Sequence, residues 1–223
     1  MMTKLQYITQ NYPGWTHSQL AHAACKAGVG WVQLRMKEEK ESEVIASAKE
    51  IRSICNSFKA TFILNDFVEI AKAIDSDGVH LGTNDMSIQE ARHVLGSDKI
   101  IGGTANTLSQ IVKLIEDGAD YIGLGPFRHT DTKKKLDPII GASGVESILY
   151  EMKNRKIAIP IYVIGGICIE DLESLKKMDV DGIAVSGLIT KAIVNQTAET
   201  VVRKINKMYP HKVVSKDKIK IEL

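Results

Sequence analysis

Several things are scarce in this sequence, and each scarcity removes a class of function. Lys and Arg number 29 against 27 Asp and Glu, a formal net charge of +2, so the broad basic footprint of a nucleic-acid binder is missing. No apolar run approaches the roughly 20 residues of a membrane span. The opening "MMTKLQYITQ" lacks the apolar core of a secretory signal. Cysteines are few: Cys25, Cys55 and Cys168 lie far apart, with no paired metal or redox spacing. An odd count of free thiols fits a reducing compartment, so a cytoplasmic protein is expected, its cysteines acting as small core fillers. Neither a Ser–His–acid constellation nor a histidine-rich zinc set can be assembled. What remains is ordinary in bulk, 223 residues at 44% apolar and 25% charged, enough for a sizeable core without disulfide or metal staples.

Short apolar runs alternate with amphipathic segments along the whole chain. The strand candidates are "LQYIT" at 5–9, "WVQLRM" at 31–36, "TFILN" at 61–65 and "GVHLG" at 78–82. "KIIGGT" at 99–104, "DYIGLG" at 120–125, "IPIYVIGG" at 159–166 and "GIAVSG" at 182–187 follow. Most are rich in Val and Ile with little alternation, as strands buried on both faces should be. Segments with three- and four-residue apolar spacing separate them, and the last, 190–209, reads as one eighth helix. Ser87 followed by Glu90 predicts a capping box, whereas Ser18, at the head of the first helix, has no such partner.

Eight strands and eight helices in strict alternation predict a single-domain (β/α)8 barrel over residues 1–210. A doubly wound open sheet would carry a glycine fingerprint after its first strand, where this chain reads "TQNYPGW". The tail, 211–223, lies beyond the eighth helix. It is expected to cover a barrel end, to add to a homo-oligomer contact or to stay without structure.

In such a barrel the chemistry sits at the C-terminal ends of the strands. Those ends hold Gln33, Arg35 and Lys37; Asn65 and Asp66; Asp85; Thr104 and Asn106. The loop after strand six adds Thr130, Thr132 and Lys133, and the last two strands add Gly165, Gly166, Ser186 and Gly187. Almost nothing there is apolar, which suits anions and a metal. Asp66 and Asp85 end neighbouring strands, and a pair of hard carboxylates suits Mg²⁺. Each also stands where a helix cap would. Gln33, Arg35 and Lys37 alternate onto one face, where a guanidinium fork and an ammonium suit phosphate oxygens. Lys37 could instead belong to the solvated run "KEEKESE". The glycines after strands seven and eight suit a phosphate held by backbone N–H groups, or merely a tight turn. His80, mid-strand, reads as a core or supporting residue, and His129 stays open.

Taken together, "VQLRMK", "ILNDFVEIA", "DGVHLGTND", "GADYIGLGPFRHTDTKK", "IPIYVIGGI" and "GIAVSGLI" resemble the thiamine phosphate synthase (thiamine-phosphate pyrophosphorylase) family. The resemblance runs from "YIT" to the eighth helix. It implies a transferase of thiamine biosynthesis that joins a hydroxymethylpyrimidine diphosphate to a thiazole phosphate and releases pyrophosphate. By position it implies diphosphate contacts at Gln33, Leu34, Arg35, Met36, Lys37, Asn65, Thr104 and Lys133. It also implies Mg²⁺ on Asp66 and Asp85, and thiazole phosphate at Thr130, Asp131, Thr132, Gly166, Val185 and Ser186. Arg35, Lys37 and Lys133 would stabilise the leaving charge. One departure is visible: Thr104-Ala105-Asn106 stands where many relatives read Ser-x-His, and an asparagine does no acid–base work at neutral pH. The implied partners are small phosphorylated molecules, with neither nucleic acid nor membrane. The competing expectations are a thiazole tautomerase-like relative and a non-catalytic barrel that binds thiazole phosphate.

Overall fold

A strand that is apolar on both faces needs cover above and below, and a crossover helix on each connection supplies it. Here the arrangement repeats until it closes. β1 (Leu5–Ile8), β2 (Trp31–Leu34), β3 (Thr61–Asn65), β4 (Gly78–Leu81), β5 (Ile100–Ala105), β6 (Tyr121–Leu124), β7 (Ile161–Ile164) and β8 (Gly182–Val185) pair in chain order. Neighbours are parallel throughout, and β8 returns to β1 with Leu5 opposite Ile183. The computed structural model describes residues 2–129 and 138–209, and across them the expected (β/α)8 barrel is closed. The tail 211–223 lies outside the described residues.

The helices are α1 (His17–Lys26), α2 (Glu41–Phe58), α3 (Val68–Ala73), α4 (Ile88–Leu95), α5 (Leu108–Glu116) and α6 (Gly141–Asn154), then α7 (Leu172–Lys177), α8 (Gly187–Val194) and α9 (Ala198–Met208). A 3-10 turn, Ile169–Asp171, precedes α7. Ser87 and Glu90 cap α4 reciprocally, as expected. At α1 the cap is Thr16 rather than Ser18. Its hydroxyl accepts the Gln19 N–H at 3.1 Å while Gln19 accepts the Thr16 N–H at 2.9 Å. The expected eighth helix is two. Asn195 ends α8, Gln196 turns left-handed at φ 57°, and Ala192 O and Ile193 O accept the Thr197 and Gln196 N–H groups. That is the pairing of a Schellman stop.

Between barrel and helices lies the main apolar layer, where Val32, Phe62, Leu64, Val79, Ile101, Ile122, Val163 and Ile183 are fully buried. Each such side chain contributes about 1.5–3 kcal/mol relative to exposure. The barrel interior is different. Its N-terminal part holds Trp31 edge-on to Tyr121 and Tyr162, with ring centroids 4.9 and 5.0 Å away. Glycine makes room for these rings: a Cβ on Gly102 would meet the Tyr121 ring at 2.1 Å, and one on Gly123 would meet His80 at 2.9 Å. Toward the C-terminal ends the interior turns polar, and a cavity opens there. No helix among the described residues is long and apolar enough to cross a membrane.

Candidate active site

The cavity has a volume of about 520 Å³. Strand alternation decides what β2 and its exit show to it. Gln33, Arg35 and Lys37 line it, whereas Leu34 and Met36 are buried in the apolar layer, so only their backbone faces the ligand side. Asn65, Asp66, Asp85 and Thr104 complete the same wall. Asn106, expected beside Thr104, does not line the cavity; its N–H is held by Gln110 Oε1 at 2.8 Å.

Neither carboxylate is a helix cap. Phe67 holds the cap position of α3 without a side-chain bond, and Ser87 caps α4. Asp66 instead sits in the left-handed region at φ 70°, an uncommon conformation that Asp and Asn tolerate best. Its Oδ2 is 2.8 Å from Lys37 Nζ, and its buried Oδ1 has no hydrogen-bond partner among the described residues. Asp85 accepts the Gly82 N–H at 2.7 Å, and the two carboxyls lie within hydrogen-bonding reach of each other. Burial, then the Asp85 carboxyl close beside it, pushes the Asp66 pKa up to about 6. Burial also pushes Asp85 upward, but Asp66, the Gly82 N–H and Lys37 outweigh it and hold this carboxyl below its ordinary value. Burial draws the Arg35 pKa down against the attraction of Asp66, Glu39 and Asp85.

Below this wall a hydrogen-bonded chain crosses the barrel. Gln6 Nε2 donates to Gln33 Oε1 at 3.0 Å, and Gln33 Nε2 to Asn65 Oδ1 at 2.7 Å. Gln6 also reaches the Tyr121 hydroxyl, which lies 2.9 Å from His80 Nδ1, while His80 Nε2 is 2.9 Å from the Thr104 hydroxyl. His80, largely buried, supports Thr104, but it also lines the cavity itself, beyond the supporting role its mid-strand position suggests. Asn65 Nδ2 is buried without a partner among the described residues. A donor and an acceptor, Asn65 Nδ2 and Asp66 Oδ1, are thus both unspent on adjacent residues of this wall.

The opposite wall is made of backbone. Gly165 and Gly166 have φ 98° and 64°, and a Cβ on Gly166 would stand 2.5 Å from His129 O, so glycine is needed for two reasons. The exit of β6 lies on this turn, with Phe127 and Arg128 N–H groups donating to Ile164 and Gly165 carbonyls at 2.8 and 2.9 Å. Arg128 forks onto Asp171, which also accepts the Cys168 N–H at 3.0 Å and its thiol at 2.9 Å. That bond to Asp171, with burial, pushes the Cys168 thiol up to about 11. Val185, Ser186 and Gly187 lead into α8. The Ser186 hydroxyl donates to Gln10 at 2.9 Å and makes no helix cap, so the first N–H groups of α8 are left without a side-chain cap. Thr130, Asp131, Thr132 and Lys133 lie outside the described residues.

The prediction that almost nothing in the cavity is apolar is corrected. Ile8, Ile164, Ile167 and Leu188 also line it, the last three beside the glycine turn and the start of α8. Gln10, Cys168 and Lys191 also line it without having been singled out for it. Ile164 could have been found, because it stands two residues before Gly166 and so shares its face; Leu188 lies inside a helix start, where strand alternation gives no guidance.

A family profile described as thiamine monophosphate synthase matches residues 5–189. The chain belongs to that family. Among its relatives, the thiamine-phosphate synthase of Flavobacterium johnsoniae is 47% identical over 192 residues, covering 86% of this chain and 91% of the relative. That of Bacteroides thetaiotaomicron is 46% identical over 191 residues, with 86% and 91% covered. Among solved structures, the thiamine phosphate pyrophosphorylase of Pyrococcus furiosus superposes with a TM-score of 0.78 at 28% identity, over 92% of this chain and 95% of its own. As in other members of the thiamine monophosphate synthase family, then, the site is to be read as that of a transferase.

Proposed function

We propose that the chain condenses 4-amino-2-methyl-5-hydroxymethylpyrimidine diphosphate with 4-methyl-5-(2-hydroxyethyl)thiazole phosphate, giving thiamine phosphate and pyrophosphate. One observation carries this reading beside the family membership: a single cavity has two separate walls for anions. One bears Arg35, Lys37 and a carboxylate pair; the other is built from the backbone of Gly165–Gly166 and the start of α8. A reaction on one phosphate needs one such wall. Joining a diphosphate to a monophosphate needs two, and Ile8, Ile164, Ile167 and Leu188 add apolar surface for the rings.

Mg²⁺ fits the first wall. Asp66 offers an unpartnered buried oxygen beside Asp85, and an ion that keeps several waters and shares phosphate oxygens needs few protein ligands. Among the described residues no group of three or more His, Cys, Asp or Glu is gathered for a metal. Bound there, it would add positive charge beside the departing diphosphate.

The bond that breaks joins the exocyclic methylene carbon to a diphosphate oxygen, and its electron pair leaves with pyrophosphate. The aminopyrimidine feeds electron density into that carbon, so no protein nucleophile is required. Arg35 and Lys37, with Lys133 from the loop after β6, meet the developing negative charge. Asn65 Nδ2 donates to the pyrimidine-bearing substrate, and Gln33, tied to Gln6 and Asn65, holds its amide in one orientation. Gly166, Val185 and Ser186, with Thr130, Asp131 and Thr132, hold the thiazole phosphate so that the thiazole nitrogen's lone pair forms the new C–N bond, a positioning task. Thr104 keeps a hydroxyl at the diphosphate end, and Asn106 takes no part. The test is the coupling reaction on purified protein with Mg²⁺, followed by mass of the product, with each precursor omitted in turn. Thiamine phosphate forming only when both are present is the expected result; tight binding of both without product would reject it.

A further inference from the structure

Beside the Arg35–Lys37 segment runs a second polar chain, which begins at Thr9 on the cavity wall and leads away from it. Thr9 is fully buried at 0% exposure. Its Oγ1 accepts the Arg35 N–H at 3.2 Å and lies 2.7 Å from His17 Nδ1. His17 Nε2 is 2.8 Å from Asn11 Oδ1, and Asn11 Nδ2 donates to Glu39 Oε1 at 2.7 Å.

The direction of each bond follows from the two ends. Asn11 gives its N–H to a carboxylate, so the oxygen it turns to His17 is an acceptor, and the proton of the imidazole is on Nε2. Nδ1 then carries a lone pair, so the Thr9 hydroxyl donates to it. The lone pairs of Thr9 Oγ1 remain for the Arg35 N–H. Burial lowers the His17 pKa, with Glu39 opposing, which agrees with a neutral ring. The chain therefore grips one segment twice: at the backbone of Arg35 and, through Asn11, at the side chain of Glu39. Lys37 lies midway between the two grips.

We propose that Thr9 and His17 are positioning residues that bracket the 35–39 segment, so that the charges of Arg35 and Lys37 stand ready for a diphosphate. The proposal rests on the functional reading above for which ligand those charges meet, and it concerns only that half of the cavity. The hydroxyl matters here, not the methyl, which separates the bracket from mere packing.

Calorimetric titration with magnesium pyrophosphate reads the bracket without turnover. Thr9→Val preserves shape but leaves the Arg35 N–H unpartnered, and should weaken pyrophosphate binding about tenfold, the worth of one buried hydrogen bond. Thr9→Ser should bind as the parent does, and the KM for thiazole phosphate should not move in either variant. Equal weakening of both ligands, or full affinity in Thr9→Val, would overturn the proposal. Nitrogen-15 spectra of the parent protein supply a check that needs no variant: His17 protonated on Nε2 supports the chain, and protonation on Nδ1 at neutral pH rejects it. If the parent binds pyrophosphate with this split yet never forms thiamine phosphate, the bracket stands and the functional reading falls.

Discussion

Asp66 combines an unusual backbone, a charge and burial in one residue. It occupies a left-handed backbone position, pairs with Lys37 and leaves one buried oxygen unpartnered among the described residues. Asparagine tolerates the same backbone conformation, so Asp66→Asn should fold with a nearly unchanged thermal midpoint. Its turnover should nonetheless fall by about a hundredfold or more, as should that of Asp85→Asn, because each removes electrostatic support for the leaving group. Near-normal rates in both would remove the carboxylate pair from the mechanism. Cys168 permits an independent check. With its thiol pushed up to about 11, the thiolate fraction at pH 8 should be roughly a hundredfold below that of an ordinary cysteine. Asp171→Asn should therefore accelerate its labelling by a thiol reagent, and an unchanged labelling rate would show that the hydrogen bond does not govern it. Much of the residue-level site was legible beforehand, since the two-residue period puts Gln33, Arg35 and Lys37 on one face whatever surrounds them. Position after a strand gave Gly165 and Gly166 but not Leu188, which enters the cavity from a helix.

Elements were more legible where burial sets the pattern than where a turn does. Strands apolar on both faces announce themselves, and all eight appear within a residue or two of their expected limits. The break between α8 and α9 was hidden because nothing at Asn195-Gln196-Thr197 is a glycine or a proline. Gln196 accepts the left-handed conformation at some cost, and Gln196→Gly should stabilise the chain by about 0.5–1 kcal/mol in urea unfolding. The turn after β7 makes a pH prediction. Burial pushes the Asp171 pKa up, but the Arg128 fork and the Cys168 N–H and thiol outweigh it and hold it below the usual carboxylate range. A depressed carboxyl contributes stability above its unfolded pKa of about 4 and loses that contribution as pH falls through the lower folded value. Arg128→Ala should thus melt below the parent at pH 7, and the two midpoints should converge in acid. Equal midpoints at pH 7 would mean that the fork contributes nothing.

For the molecule as a whole, the division of the barrel interior is the feature that sequence patterns conceal. Gln6 and His80 stand inside strands and Tyr121 at the start of one, where a lone polar residue reads as an exception in a core; only closure of the barrel brings them into one hydrogen-bonded chain. Glycines at 102 and 123 provide the space for it. The broad function was more accessible, because charges and glycines gather at strand ends whose position follows from the fold. Chelation is the experiment at this scale: EDTA should abolish coupling and added Mg²⁺ restore it, whereas undiminished activity in chelator would leave Asp66 and Asp85 without their proposed ion.

The edge-to-face rings of Trp31, Tyr121 and Tyr162 have one further consequence. They fill the far end of the barrel, so among the described residues the cavity lies toward the C-terminal ends of the strands. Two reactants and two products must then share one route, and whatever settles deepest waits for its neighbour to go. Traffic of that kind is ordered, so the product that leaves last should compete with the reactant that enters first, and the other product with neither.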